Sequence, residues 1–160
     1  MDMNRAIQLI GTASDDPVMV AFLMESGVTK MPDWQRFEDS AVALDSGAVI
    51  LQFSAEVPKG KEDCEPGTIF LEDITFSNPA TTGGIGPLTQ SIPDGLRIEM
   101  DSPQVKRLLG EPAYEGEFLG GLFLNYDAVR LGVDLSIKFD KAGRAIRFIR
   151  YLAAEDPSHA

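Results

Sequence analysis

The stretch VRLGVDLSIKF, residues 129–139, is the cleanest alternating segment of the chain. Val129, Leu131, Val133, Leu135, Ile137 and Phe139 fall on one side of an extended strand, with Arg130, Gly132, Asp134, Ser136 and Lys138 on the other. One face must be dry and the other wet. A parallel sheet covered on both sides would need apolar residues on both, so the pattern predicts an antiparallel sheet. Other segments agree. AVAL (41–44) and AVILQF (48–53) flank Asp45-Ser46-Gly47 and predict a hairpin with Gly47 at positive φ. TIFLEDITF (68–76) reads as a third strand whose alternation is interrupted at Glu72-Asp73. In the second half GEFLGGLFLNY (116–126) reads as a strand loosened by Gly120-Gly121, and RAIRFIRYLA closes a hairpin after a turn at 140–143.

Two helices carry matching punctuation. SDDPVMVAFLMESG predicts a helix over 17–26, entered by Asp and Pro and ended by Gly27. DSPQVKRLLGEP predicts a second, capped by Asp101 or Ser102, with Pro103 in its first turn and Gly110 beyond its end. When Pro17 is set on Pro103, Met19, Phe22 and Leu23 fall on Val105, Leu108 and Leu109. The expected architecture is therefore α+β, a tandem repeat of two αβββ units with mostly antiparallel sheet and one helix per unit. The expected boundaries are 1–76 for the first, acidic unit, 77–100 for a Pro- and Gly-rich linker and 101–160 for the second, both units forming one domain.

Charge bounds the partners. The net charge is −11, and it is uneven: residues 1–100 hold sixteen acidic and six basic side chains, residues 101–160 nine and eight. Such a field repels nucleic acid and anionic membrane and attracts a basic partner. Polar residues interrupt the N-terminal stretch, so it has no export-signal core, and no apolar run approaches the length of a membrane span. The expected location is cytoplasmic.

Catalytic chemistry finds little to work with. Cys64 is the only cysteine and sits among Glu62, Asp63 and Glu65, which disfavour a thiolate. His159 is the only histidine, in the C-terminal tail. GGIG (83–86) is followed by Pro87 and no helical pattern, so it offers phosphate no helix N-terminus. Asp15-Asp16 reads as a helix cap. Glu72 and Asp73 are neighbours on a strand, where regular geometry sends side chains to opposite faces. The expectation is no enzyme, no cofactor and no metal site.

IQLIGTASDDPVMVAFLMESG (7–27) and IPDGLRIEMDSPQVKRLLGEP (92–112) together resemble the openings of the two halves of small bacterial immunity-type proteins. The helix-Gly-x-Pro element is also similar to SmpA/OmlA lipoproteins and to β-lactamase inhibitor proteins, the latter tandem helix-plus-sheet repeats. Unlike the lipoproteins this chain has no lipidated N-terminal cysteine, and unlike the secreted inhibitors it cannot form an intrachain disulfide. The resemblance implies a cytoplasmic inhibitor of a cognate bacterial toxin, and many such toxins are nucleases with basic active sites. An acidic inhibitor can occlude such a site by standing in for phosphates. The candidate partner-binding residues are Asp33, Glu38, Asp39 and Asp45 with Glu62, Asp63 and Glu65, and Trp34 and Phe37 as apolar anchors between the charges. The alternative is a small-molecule or peptide-binding scaffold whose concave sheet is lined by Phe118, Phe123, Tyr126 and Tyr151.

Overall fold

A computed structural model describes residues 1–33, 40–130 and 132–154. Its described residues form an α+β fold with one seven-stranded antiparallel sheet and three α-helices. In chain order the elements are α1 (Met3–Gln8), α2 (Pro17–Glu25), β1 (Ala41–Leu44), β2 (Val49–Ser54), β3 (Phe70–Ser77), α3 (Ser102–Leu109), β4 (Tyr114–Phe118), β5 (Gly121–Arg130), β6 (Val133–Phe139) and β7 (Ile146–Ala153). The strand order is β1-β2-β3-β7-β6-β5-β4. Two meanders thus join through β3 and β7, where Ile74 faces Tyr151 and Phe76 faces Ile149.

The helices form where the sequence supplies caps. The Asp16 carboxylate accepts from the Val18 N–H at 2.9 Å, and Pro17 opens α2. At α3 Asp101 accepts from the Gln104 N–H at 2.9 Å while the Gln104 side chain accepts from the Asp101 N–H, a reciprocal capping box. The helix α1 was not expected from the sequence. Six residues are too few to show a period, yet Asp2 caps it and Met3, Ala6 and Ile7 are buried.

The second meander has four strands, not the expected three. GEFLGGLFLNY is broken at Leu119-Gly120, whose φ values of 49° and 71° make a two-residue hairpin turn with Phe118 facing Gly121. Likewise VRLGVDLSIKF is divided between β5 and β6, with Gly132 at φ 72° between them. The β1–β2 hairpin forms as expected, with Gly47 at φ 89°.

The three α-helices of the described residues lie on one face of the sheet. Met19, Phe22 and Leu23 of α2, Val105 of α3 and Ala6 and Ile7 of α1 are buried with Leu51, Ile74, Phe76, Leu135, Ile137, Ile149 and Tyr151 in one apolar cluster. Residues 78–101 cross this same side, burying Ile92, Leu96 and Met100 in the cluster. Two of the points that tie the crossing down involve acidic side chains. Asp45, in the turn after β1, accepts from the Thr89 N–H at 2.6 Å, the Gln90 N–H at 3.1 Å and the Thr89 hydroxyl. Gly86 approaches the same turn so closely that a Cβ there would lie 2.4 Å from the Ser46 Cβ, which is why this position holds glycine. At the second point Tyr151, fully buried, donates its hydroxyl to the Asp94 carboxylate at 2.8 Å and the Pro93 carbonyl at 3.1 Å.

Candidate functional site on the uncovered sheet face

Paired residues of an antiparallel sheet share a face. The registers therefore give the residues opposite the helices directly. One row crosses Gly116, Phe123, Lys138, Phe148 and Ser77; the next crosses Tyr114, Asn125, Ser136, Arg150, Thr75, Ile50 and Ala43. A third holds Asp134, Leu152, Asp73, Gln52 and Ala41. No helix among the described residues lies over these rows.

The first row is aromatic. Phe118 and Phe123 have ring centroids 6.3 Å apart, and Phe123 and Phe148 stand edge to face at 6.2 Å. The Lys138 ammonium lies 5.4 Å from the Phe123 centroid, a cation–π contact. At the hairpin tip Phe118 is 62% and Leu119 75% exposed. Leu119 breaks two local rules at once, since a leucine is both solvated and held at φ 49°.

Phe148 also forms one wall of a hollow of about 790 Å³ lined by Ser40, Ala41, Ile50, Gln52, Glu72, Asp73, Thr75, Phe148 and Arg150. Its acidic wall comes from a β-bulge. Gln52 pairs with Asp73 but Phe53 pairs with Leu71, leaving Glu72 as the extra residue. This corrects the expectation from regular strand geometry: Glu72 and Asp73 line the same hollow. Asp73 is 5% exposed, and its carboxylate accepts from the Arg150 guanidinium at 2.7 Å. Glu72 has no hydrogen-bonding or ion-pair partner among the described residues. Burial pushes its carboxyl above the ordinary value, and the charges of Asp73 and Glu56 add to the rise while Arg150 opposes it.

The residues singled out from sequence are dispersed. Asp45 lies in the turn at one end of β2, and Glu62, Asp63 and Glu65 lie in the loop at its other end. A strand of this length separates them by roughly 20 Å. Asp45 is engaged within the fold: burial raises its pKa, but the hydrogen bonds from Thr89 and Gln90 outweigh that and hold it below the usual value. Glu62, Asp63 and Glu65 are exposed; Glu62 accepts from the Gly60 N–H at 3.0 Å, which lowers its pKa. Asp33 is exposed. Trp34, Phe37, Glu38 and Asp39 lie outside the described residues.

Of the aromatic residues considered for a concave surface, Phe118 and Phe123 do face the uncovered side, whereas Tyr126 and Tyr151 are buried against the helices. The sequence reading missed Phe148, Arg150 and Gln52. Each stands in the wet phase of its strand, but only the pairing of β3 with β7 brings them together.

Among the described residues no three His, Cys, Asp or Glu side chains converge as a metal set, and no helix is long and apolar enough to cross a membrane. Comparison with protein-family models, with curated proteins and with solved structures found no match.

Proposed function

We propose that this protein is a non-enzymatic inhibitor of the immunity type, which occludes the basic active-site surface of a cognate bacterial toxin with its uncovered sheet face. One observation carries the proposal. A continuous band runs from the exposed tip at Phe118 and Leu119 through Phe123 and Phe148 into a hollow whose acidic wall is only partly neutralised. Protein interfaces have this anatomy, with aromatic anchors inside a polar rim. The acidity of the first half and the resemblance of the capped helix of each half to immunity-type proteins support the same reading. The loop bearing Glu62, Asp63 and Glu65 lies at the hollow's end of the sheet and would extend the field a basic partner meets.

The test is co-expression with the product of the adjacent gene, followed by affinity measurement across a salt series. Binding should weaken with salt and should be lost in a Phe118→Ser, Phe123→Ser variant. Tight binding unchanged by both would refute the use of this face. The second reading, a small-molecule or peptide scaffold, rests on the size of the hollow, about 790 Å³. Small ligands are usually buried by about 70–90%, which a depression on an open sheet does not provide. The geometry favours a protein side chain.

We also propose that the fold is a duplication. Asp-capped, Pro-started helices precede both meanders, and the strand order sets β1, β2 and β3 against β5, β6 and β7 about the β3–β7 seam. On this reading α1 and β4 are additions to the repeat. Superposing α2-β1-β2-β3 on α3-β5-β6-β7 tests it; an offset of one strand in the best superposition would overturn it.

A further inference from the structure

The strand order leaves β4 at one end of the sheet, paired with β5 on one side and with no strand among the described residues on the other. Its sequence, YEGEF, sorts two kinds of side chain onto two faces. Tyr114, Gly116 and Phe118 lie on the uncovered side, opposite Asn125, Phe123 and Gly121. Glu115 and Glu117 lie on the helix side, opposite Leu124 and Leu122. Tyr114 is 54% exposed and lays its ring over Gly116, where a Cβ would stand 2.3 Å from the tyrosine oxygen. The edge also has a defined phase. A two-residue turn is closed by a hydrogen-bonded pair, here Phe118 with Gly121. Alternation along the ladder then turns the main-chain groups of Glu115 and Glu117 away from β5, toward the open edge.

Open edges are commonly guarded by charge, and this guard is selective. A second copy set antiparallel about Gly116 would put Glu115 opposite Glu117 at both ends of the contact, between two chains of net charge −11. Lys106 reaches Glu115 at 2.6 Å, and among the described residues no cation pairs with Glu117. A strand with lysine or arginine at alternate positions meets both carboxylates, and its intervening apolar residues fall beside Tyr114 and Phe118. We propose, on the reading of this chain as a binder of a basic partner, that the outer edge of β4 accepts an antiparallel basic strand of the partner protein. The added strand bonds through its main chain to Glu115 and Glu117, faces their carboxylates with its cations, and extends the aromatic band of Phe118 and Phe123 with its apolar side chains.

The experiment titrates the full chain with the peptide acetyl-VKVKV-amide while amide shifts and hydrogen exchange are recorded. Shifts should centre on residues 114–118, and exchange at the Glu115 and Glu117 amides should slow several-fold. The isomer acetyl-VVKKV-amide, of equal charge but without alternation, should bind several-fold more weakly. N-methylation of both lysine main-chain nitrogens keeps the charge but removes the donors facing β4, and should abolish binding. N-methylation of the central valine, whose N–H points away, should leave it intact. Glu117→Gln should weaken the parent peptide about twofold to fivefold. Equal binding of the two isomers, or of the parent and the lysine-methylated peptide, overturns the proposal, as does a stable dimer of the chain alone that protects the same two amides. A partner complex that needs Phe118 and Phe123 yet leaves the Glu115 and Glu117 amides in fast exchange refutes strand addition and leaves the inhibitor reading standing. Capture of the alternating peptide by β4, with a partner complex indifferent to those phenylalanines, refutes the inhibitory face and supports the edge as a strand-binding site.

Discussion

Replacing Arg150 by Met should weaken the fold by leaving a buried carboxylate unpaired. Arg150 lies in the middle of β7, opposite Thr75 of β3, and its guanidinium is 2.7 Å from the Asp73 carboxylate. The two partners are unequally wet, with side-chain exposures of 40% for Arg150 and 6% for Asp73. Exposed ion pairs contribute about 0.2–1 kcal/mol, and breaking a fully buried one costs about 3–5 kcal/mol. Solvent screens the arginine side, so the upper range does not apply, but the carboxylate left behind is buried. We expect a loss of about 2 kcal/mol for Arg150→Met, with the methionine retaining much of the stem packing. Asp73→Asn should cost about 1 kcal/mol, because the arginine can turn to water, and the double variant should reveal a coupling of about 1–2 kcal/mol. Urea unfolding followed by far-UV circular dichroism reads these values if the slope with denaturant is unchanged. A stability change below about 0.5 kcal/mol would show that Asp73 does not depend on Arg150.

Three further outcomes follow from the geometry. Glu72→Gln should stabilise the protein at neutral pH. The native pKa of Glu72 is raised above its ordinary value by burial, Asp73 and Glu56, so the native state binds the proton more readily than the unfolded chain, and stability declines as pH rises through the raised pKa. The gain should thus be present near pH 7 and vanish below the ordinary carboxylate range in urea titrations; a gain that grows on acidification would contradict the sign. Tyr151→Phe should cost about 1–2 kcal/mol, because the Asp94 carboxylate and the Pro93 carbonyl lose a buried donor, and amide exchange should quicken at Leu96, whose N–H bonds to the Pro93 carbonyl. Leu119→Asn should stabilise the free protein by about 0.5–1 kcal/mol, because asparagine tolerates the left-handed turn position better than leucine. The same substitution should weaken partner binding, and a variant that is both more stable and fully competent would place Leu119 outside the interface.

Much of the scaffold was legible because local chemistry dictated it. The caps at Asp16 and Asp101, the hairpin around Gly47 and the dry phase of β6 each follow from a few adjacent residues. What sequence obscured were turns hidden inside apolar runs. Leu119-Gly120 reads as part of one long strand because leucine is not a turn residue, and only its left-handed backbone divides β4 from β5. The Pro- and Gly-rich crossing reads as a spacer, since Pro93 and Gly95 interrupt the four-residue spacing of Ile92, Leu96 and Met100 that would otherwise announce a buried face. Asp45 reads as surface charge because its donors, Thr89 and Gln90, lie more than forty residues away.

The candidate site was the least legible part, for a reason that the bulge makes plain. Adjacent residues of a regular strand cannot build one wall, which argued against any joint role for Glu72 and Asp73. Yet the apolar residues of β3 do not keep one phase. Leu71 faces the helices from an odd position, and Ile74 and Phe76 face them from even ones. A phase slip of one residue between buried positions can be accommodated only by an extra residue on one strand, and the two acids sit where the slip occurs. The interruption at Glu72-Asp73 therefore encoded the bulge. It carries the charge to the wet face twice in succession, beside a β7 arginine that is itself in the wet phase, and it leaves one carboxylate more than the arginine can satisfy.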